Sequence, residues 1–149
     1  MTTATLTPRP QTAPVPQQTP RPMRTQPTTR ILLVEDEPLT AEVFARALSR
    51  DGHVVELARD GQQALRRFAD HRPSLVVLDV SLPTLSGTDV VRRLRADGHR
   101  QVPILVVSGS ARQLTNLRDD ELRPGTWLEK PIKPRDLVRI VREHLAACL

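Results

Sequence analysis

With 149 residues, 38% of them hydrophobic and 2% aromatic, the chain has the size of one domain with a real core, and a single cysteine, Cys148, excludes a disulfide framework and fits a reducing cytoplasm. More than half of the formal net charge of +5 lies in residues 1–29, which hold Arg9, Arg21 and Arg24 and no acids; residues 30–149 carry 19 basic against 17 acidic groups. That near-neutral body has no block of like charges and almost no aromatics to stack on bases, so direct nucleic-acid binding is not expected.

Residues 1–29 contain seven of the fourteen prolines, many Thr and Gln, and few apolar residues. Such a segment cannot bury enough apolar surface to offset its ordering entropy and reads as a disordered Pro/Thr/Gln-rich tail. It lacks the apolar core of a signal peptide and is too polar to span a membrane, though arginine and threonine without acids fit a transit peptide loosely. The domain proper is read as residues 30–149.

"RILLVED" (30–36) is a continuous apolar run and reads as a buried strand. Pro38 opens a helix whose apolar face is assigned to Leu39, Val43, Ala47 and Leu48, with Gly52 as the stop. "HVVELA" (53–58) alternates and reads as an edge strand; Asp60 then caps a helix carrying Ala64, Leu65 and Phe68 that ends before Pro73. "SLVVLD" (74–79) is the third strand, Ser86 to about Asp97 the third helix through Val90, Val91 and Leu94, and "VPILVVS" (102–108) the fourth strand. A weak helix within 111–122 has only Leu114, Leu117 and Leu122 to hold it. "TWLE" (126–129) is a short fifth strand, and Pro134 opens a last helix through Leu137, Val138, Val141 and Leu145. Strict alternation of five strands and five helices predicts an α/β fold: a doubly wound parallel sheet covered on both faces.

Ligands of such sheets bind beyond the carboxyl ends of the strands. Those ends carry Glu35 and Asp36, then Asp79, then Ser108, then Lys130. Taken singly, Asp36 before Pro38 reads as a helix cap, Ser108 before Gly109 as loop chemistry, and Lys130 before Pro131 as a solvated side chain. Together they ask for more, because three carboxylates in one crevice repel by up to ~4 kcal/mol per contact at ~4 Å and an effective dielectric of about 20. A hard divalent cation such as Mg²⁺ is the simplest compensation. Lysine usage singles out the same edge: against twenty arginines the chain has two lysines, Lys130 and Lys133, four positions apart counting both. Lys130 is the functional candidate, since a compact ammonium acts as a point charge where a broad guanidinium fork does not fit, and Lys133 is assigned to solvent or a helix start.

The segments "ILLVEDEP", "LVVLDVSLPTLSG", "VVSGS" and "WLEKP", in this order and spacing, resemble the receiver domain of two-component response regulators over residues 30–149. The resemblance implies a flavodoxin-like fold with strand order 2-1-3-4-5 and an aspartate, Asp79, that accepts a phosphoryl group from a histidine kinase or phosphotransfer protein. It implies Mg²⁺ held by Glu35, Asp36, Asp79 and the backbone carbonyl of Ser81, with Ser108 bonding the phosphoryl group and Lys130 pairing with it. The Lys130–Pro131 bond is typically cis in the family. Ser108 and Trp127 match the two switch positions, where Thr and Tyr or Phe are more usual; Glu35 stands for the commoner Asp. Trp127 also reads simply as a half-buried packing residue.

The expectation is a cytoplasmic, stand-alone receiver with self-catalysed phosphotransfer and dephosphorylation, signalling through a downstream protein partner or a phosphorelay, with a homodimer among the assemblies it supports. The alternatives are a phosphorylation-independent interaction module of the same fold and the N-terminal piece of a larger regulator. No glycine-rich phosphate loop follows the first strand, and His53, His71, His99 and His144 lack metal-ligand spacing, which weakens nucleotide, flavin and zinc readings.

Overall fold

A computed structural model describes residues 4, 5, 8, 10, 29–109 and 115–148. The disordered-tail expectation therefore lies almost wholly outside the described residues, as does Leu114 of the weak fourth helix. The elements run β1 (Arg30–Val34), α1 (Pro38–Arg50), β2 (Val54–Ala58), α2 (Gly61–His71), β3 (Leu75–Leu78), α3 (Gly87–Ala96), β4 (Ile104–Ser108), α4 (Asp119–Leu122), β5 (Thr126–Glu129) and α5 (Pro134–Ala147). All sheet pairs are parallel and the strand order is β2-β1-β3-β4-β5, as expected for a flavodoxin-like fold. From β1, next to the edge, the chain winds outward to β2 and then crosses back through the central strand β3 to the opposite edge. That reversal opens a crevice between β1 and β3.

Strand alternation sorts the core into two layers. Leu32, Val34, Val76, Leu78, Ile104 and Val106 face α2, α3 and α4, through Phe68, Val90, Leu94 and Leu122. Ile31, Leu33, Leu75, Val77, Leu105 and Val107 face α1 and α5, through Phe44, Leu48, Leu137 and Val141. Both sides of each central strand are thus apolar, which explains the continuous runs in the sequence. Each such side chain contributes about 1.5–3 kcal/mol through burial. Side-chain caps set the helix starts: Asp60 accepts from the Gln63 N–H at 2.8 Å and Ser86 from the Asp89 N–H at 3.2 Å.

One expectation needs correction. The inner face of α1 is Ala41, Phe44 and Leu48, spaced i, i+3, i+7, whereas Leu39 is 71% and Val43 49% exposed; the aromatic ring of Phe44, which fills more core volume, set the helix rotation. The fourth helix has only four residues, because Pro124 follows closely and its sequence offers little apolar surface beyond Leu117 and Leu122, both buried.

What holds that short segment is arginine from α3. Arg95 is 9% exposed and its guanidinium donates to four backbone carbonyls: Glu121 at 2.9 Å, Leu122 at 3.1 Å, His99 at 2.6 Å and Val102 at 2.8 Å. One turn earlier Arg92 donates to the Glu121 carboxylate at 3.0 Å and the Asn116 carbonyl at 2.9 Å. Burial, with the nearby charge of Arg100, lowers the Arg95 pKa from its ordinary value, yet the side chain stays charged because its ordinary value is so high. Replacing it by methionine keeps the stem and strips four carbonyls of their donor. Arg95→Met is expected to cost about 2–4 kcal/mol of unfolding free energy in urea titration, with a loss under about 1 kcal/mol contradicting the clamp.

Candidate functional site

The carboxyl edge of the sheet collects the charged residues through the ladder itself. The Glu35 N–H donates to the Ala58 carbonyl and the Asp79 N–H to the Val34 carbonyl, both at 3.0 Å, so β1 and β3 deliver the two carboxyl groups side by side. Asp36 follows Glu35 and faces solvent. The capping role considered for Asp36 belongs instead to Glu37, whose carboxylate accepts from the Leu39 N–H at 3.2 Å and the Thr40 N–H at 2.6 Å. Its own N–H donates to Glu35 Oε1 at 3.2 Å. Glu37 was missed in the sequence, although Pro38 at the first helical position marks the residue before it as the cap. Asp36 is thereby left for the crevice.

One oxygen each of Glu35, Asp36 and Asp79 lies within 4.8 Å of the others. Glu35 is 3% and Asp79 7% exposed. At that separation and an effective dielectric of about 20, two buried like charges cost about 3 kcal/mol. Lys130 offsets this: its Nζ donates to Glu35 Oε2 at 3.0 Å and to Asp79 Oδ2 at 3.1 Å. The other Asp79 oxygen, Oδ1, accepts from the Ser81 N–H at 3.0 Å. The Asp79 carboxylate is therefore held from both sides. Three carboxylates against one ammonium leave two negative charges, and all the donors are hard oxygens, so the set fits a divalent cation that prefers carboxylates.

The titration behaviour follows from burial and charge. Burial lifts the Glu35 pKa above its ordinary value, with the Asp79 charge adding to the rise and the Lys130 bond opposing it. For Lys130 burial is the largest single influence and acts downward, but the bonds and charges of Glu35 and Asp79 outweigh it and the pKa is raised.

The neighbouring strands supply the remaining positions. Ser108 ends β4 fully buried, and its carbonyl accepts from the Lys130 N–H at 2.9 Å, so the lysine backbone is anchored by the strand that presents the serine. Trp127 pairs in register with Val106 and packs, half-buried, against the layer formed with α2, α3 and α4. Its indole Nε1 is buried with no hydrogen-bond partner among the described residues. Lys133 is exposed at the start of α5, as assigned. The Lys130–Pro131 peptide is cis, as the resemblance implies, and so is Arg123–Pro124, which was not anticipated. Behind Asp79, Gly87 packs so tightly that an added Cβ would sit 2.2 Å from the Asp79 carbonyl oxygen. Only glycine lets α3 start there.

A parallel 2-1-3-4-5 sheet with paired acids, a third carboxylate and a lysine at its carboxyl edge defines a class of signalling domain, and the chain belongs to it: the response regulator receiver domain of two-component systems, whose family model matches residues 31–142. Among relatives, the DNA-binding response regulator MtrA of Mycolicibacterium smegmatis is 38% identical over 116 residues, covering 78% of this chain and 50% of MtrA. The response regulator MprA of Mycobacterium sp. strain KMS is 42% identical over 118 residues with the same coverage of 78% and 50%. The chain spans about half the length of the curated relatives it matches. A sensor protein from Polaromonas sp. JS666 superposes with a TM-score of 0.74 at 30% identity, covering 83% of this chain and 100% of that one. A CheY-like receiver protein from Methanospirillum hungatei JF-1 shares the fold, with a TM-score of 0.73 at 23% identity and coverage of 81% and 96%.

Removing Lys130 leaves Glu35 and Asp79 buried and uncompensated. Lys130→Met is expected to lower unfolding free energy at neutral pH by about 1–3 kcal/mol. The sign with pH is set by Glu35: a carboxyl whose folded pKa exceeds its ordinary 4.5 contributes stability below that ordinary value and loses it as pH rises through the folded pKa. The deficit of Lys130→Met should therefore shrink as pH falls toward 4.5, measured by urea unfolding at several pH values.

Proposed function

We propose that Asp79 is the phosphoryl acceptor of a receiver unit spanning residues 30–149, with residues 1–29 as an appended tail. The observation that carries this is the fixed Asp79 carboxylate, bonded at one oxygen by the Ser81 N–H and at the other by Lys130. In the reaction an Asp79 oxygen attacks phosphorus and a new P–O bond forms. The P–N bond of a phosphohistidine donor, on a histidine kinase or phosphotransfer protein, breaks with its electron pair leaving on the imidazole. Such transfers need positioning and charge neutralisation more than covalent assistance. Lys130 stays beside the incoming phosphoryl oxygens, and Ser108 offers its hydroxyl. Glu35, Asp36, Asp79 and the Ser81 carbonyl are the proposed holders of Mg²⁺, which when bound supplies positive charge to the acceptor and phosphoryl oxygens. Attack of water on phosphorus later breaks the P–O bond to Asp79, whose carboxylate leaves with the electron pair while the water's proton passes to solvent and phosphate is released, which makes the domain its own slow phosphatase rather than a conventional enzyme.

Phosphorylation adds about one further negative charge and three acceptor oxygens at the site. We assign the response to Ser108 and Trp127. The unpartnered indole N–H costs about 1–3 kcal/mol where it is, so Trp127 has little holding it in this rotamer beyond packing. For the donor, the exposed Leu39 and Val43 form an apolar groove of about 540 Å³ with Phe44, Ile132 and Pro134 that reaches Lys130, the side from which a donor protein approaches Asp79. Signalling is assigned to a protein partner or onward phosphorelay in the cytoplasm; no helix among the described residues is long and apolar enough to cross a membrane.

Incubation with Mg²⁺ and a small-molecule phosphodonor should add one phosphoryl group by intact mass, absent in Asp79→Asn, with a change in Trp127 fluorescence. No gain from either a small donor or a kinase would end the reading and leave a phosphorylation-independent module. Thermal melting checks the cation: Mg²⁺ should raise the melting temperature of the wild type. Asp36→Asn should melt higher than wild type without Mg²⁺, because one repelling charge is gone, and respond weakly to its addition.

A further inference from the structure

On the opposite side of the sheet from α1 and α5, the end of α3 and the α4 segment enclose a pocket of about 270 Å³ lined by Arg92, Arg95, Arg100, Arg118 and Arg123. Two carboxylates share it, and both are already committed. Glu121 takes Arg92 at 3.0 Å and Arg118 at 3.8 Å, and Asp120 takes Arg118 at 3.3 Å. Arg95, Arg100 and Arg123 are left without a carboxylate partner among the described residues. Arg95 is nine-tenths buried with only backbone carbonyls as acceptors, and Arg100 is close enough for its charge to act on it. Buried or crowded like charges normally meet a counter-ion. Nothing in the phosphoacceptor chemistry uses these residues.

We propose that this pocket binds a diphosphate anion. Guanidinium forks match phosphate oxygens two at a time; the exposed Arg100 and Arg123 offer theirs, while Arg95, with four of its five N–H groups on carbonyls, adds charge, and these three positive charges without a carboxylate among the described residues suit two linked phosphates better than one. A volume of about 270 Å³ falls just below the usual range for whole small-molecule sites, which suits a diphosphate group and is too small for a peptide segment. Because Arg92, Arg95 and Arg100 come from α3 and its following turn while Arg118 and Arg123 flank α4, the anion would bridge the two. It would fasten a helix of four residues that otherwise depends on Arg92 and Arg95.

The test is isothermal titration calorimetry of the full chain with pyrophosphate in metal-free buffer at low and moderate salt. The expected result is saturable binding at one site, weakened by salt, with orthophosphate binding more weakly and the double variant Arg100→Ala/Arg123→Ala losing roughly tenfold or more in affinity. Both substituted arginines are exposed, so the variant should melt like the wild type. Lys130→Met should bind as the wild type does, which separates this pocket from the Asp79 site. A titration with ADP locates the source: affinity equal to or above that of pyrophosphate supports the proposal with a nucleoside-borne diphosphate, and lower affinity supports it with the free anion. Absence of saturable heat, unchanged affinity in the double variant, loss in Lys130→Met, or stronger binding of a glutamate-rich peptide than of pyrophosphate would each overturn it.

Discussion

The ammonium of Lys130 is what allows two buried carboxylates to share one end of a sheet. Glu35 and Asp79 are brought together by the β1–β3 ladder whether or not their charges agree with it, and the cost of that proximity is met by one cation donating to both. The lysine in turn is fixed by its own N–H on the Ser108 carbonyl. Strand pairing, charge and the serine position are therefore one linked arrangement. Its remaining two negative charges make the crevice an attractive place for a divalent cation and a phosphoryl group together, and a poor one for a resting apolar core.

The rest of the fold serves that edge. Apolar residues on both faces of β1, β3 and β4 lock strand register, because a slip of one residue would exchange the two packing layers. A locked register fixes the carboxyl groups that follow the strands. The backbone around Asp79 is crowded further by Gly87, where α3 meets the β3 loop without room for a Cβ. By contrast, α4 is a four-residue helix, Asp119–Leu122, attached by arginine-to-carbonyl bonds rather than by a broad apolar face. If Asp79 is the acceptor we propose, a rigid carboxylate beside a lightly packed segment gives a physical basis for transmitting a charge change, since low packing density is where local rearrangement costs least.

Much of this was legible in the chain. Continuous runs such as "LVVL" gave the buried strands, alternation in "VVELA" gave the edge strand, and polar residues at four strand ends located the crevice. What escaped notice had physical reasons. The rotation of α1 was misread because aliphatic Leu39 and Val43 were weighted above the single large ring of Phe44. Arg95 looked like one of twenty arginines, since burial of a guanidinium depends on carbonyls from residues 99, 102, 121 and 122, which no local pattern announces. Asp36 and Glu37 could not be separated as crevice carboxylate and cap by residue type, only by where the helix begins.

Of all the assignments, that of Asp79 as the covalent acceptor bears the most weight, and it has a chemical readout independent of mass gain alone. An aspartyl phosphate is reduced by borohydride to homoserine, while an unmodified carboxylate is not. Treating the phosphorylated protein with borohydride and sequencing its peptides by mass spectrometry should find homoserine at position 79 and aspartate unchanged at position 36. Homoserine at position 36, or at neither position in a protein shown to carry the phosphoryl group, would contradict the account.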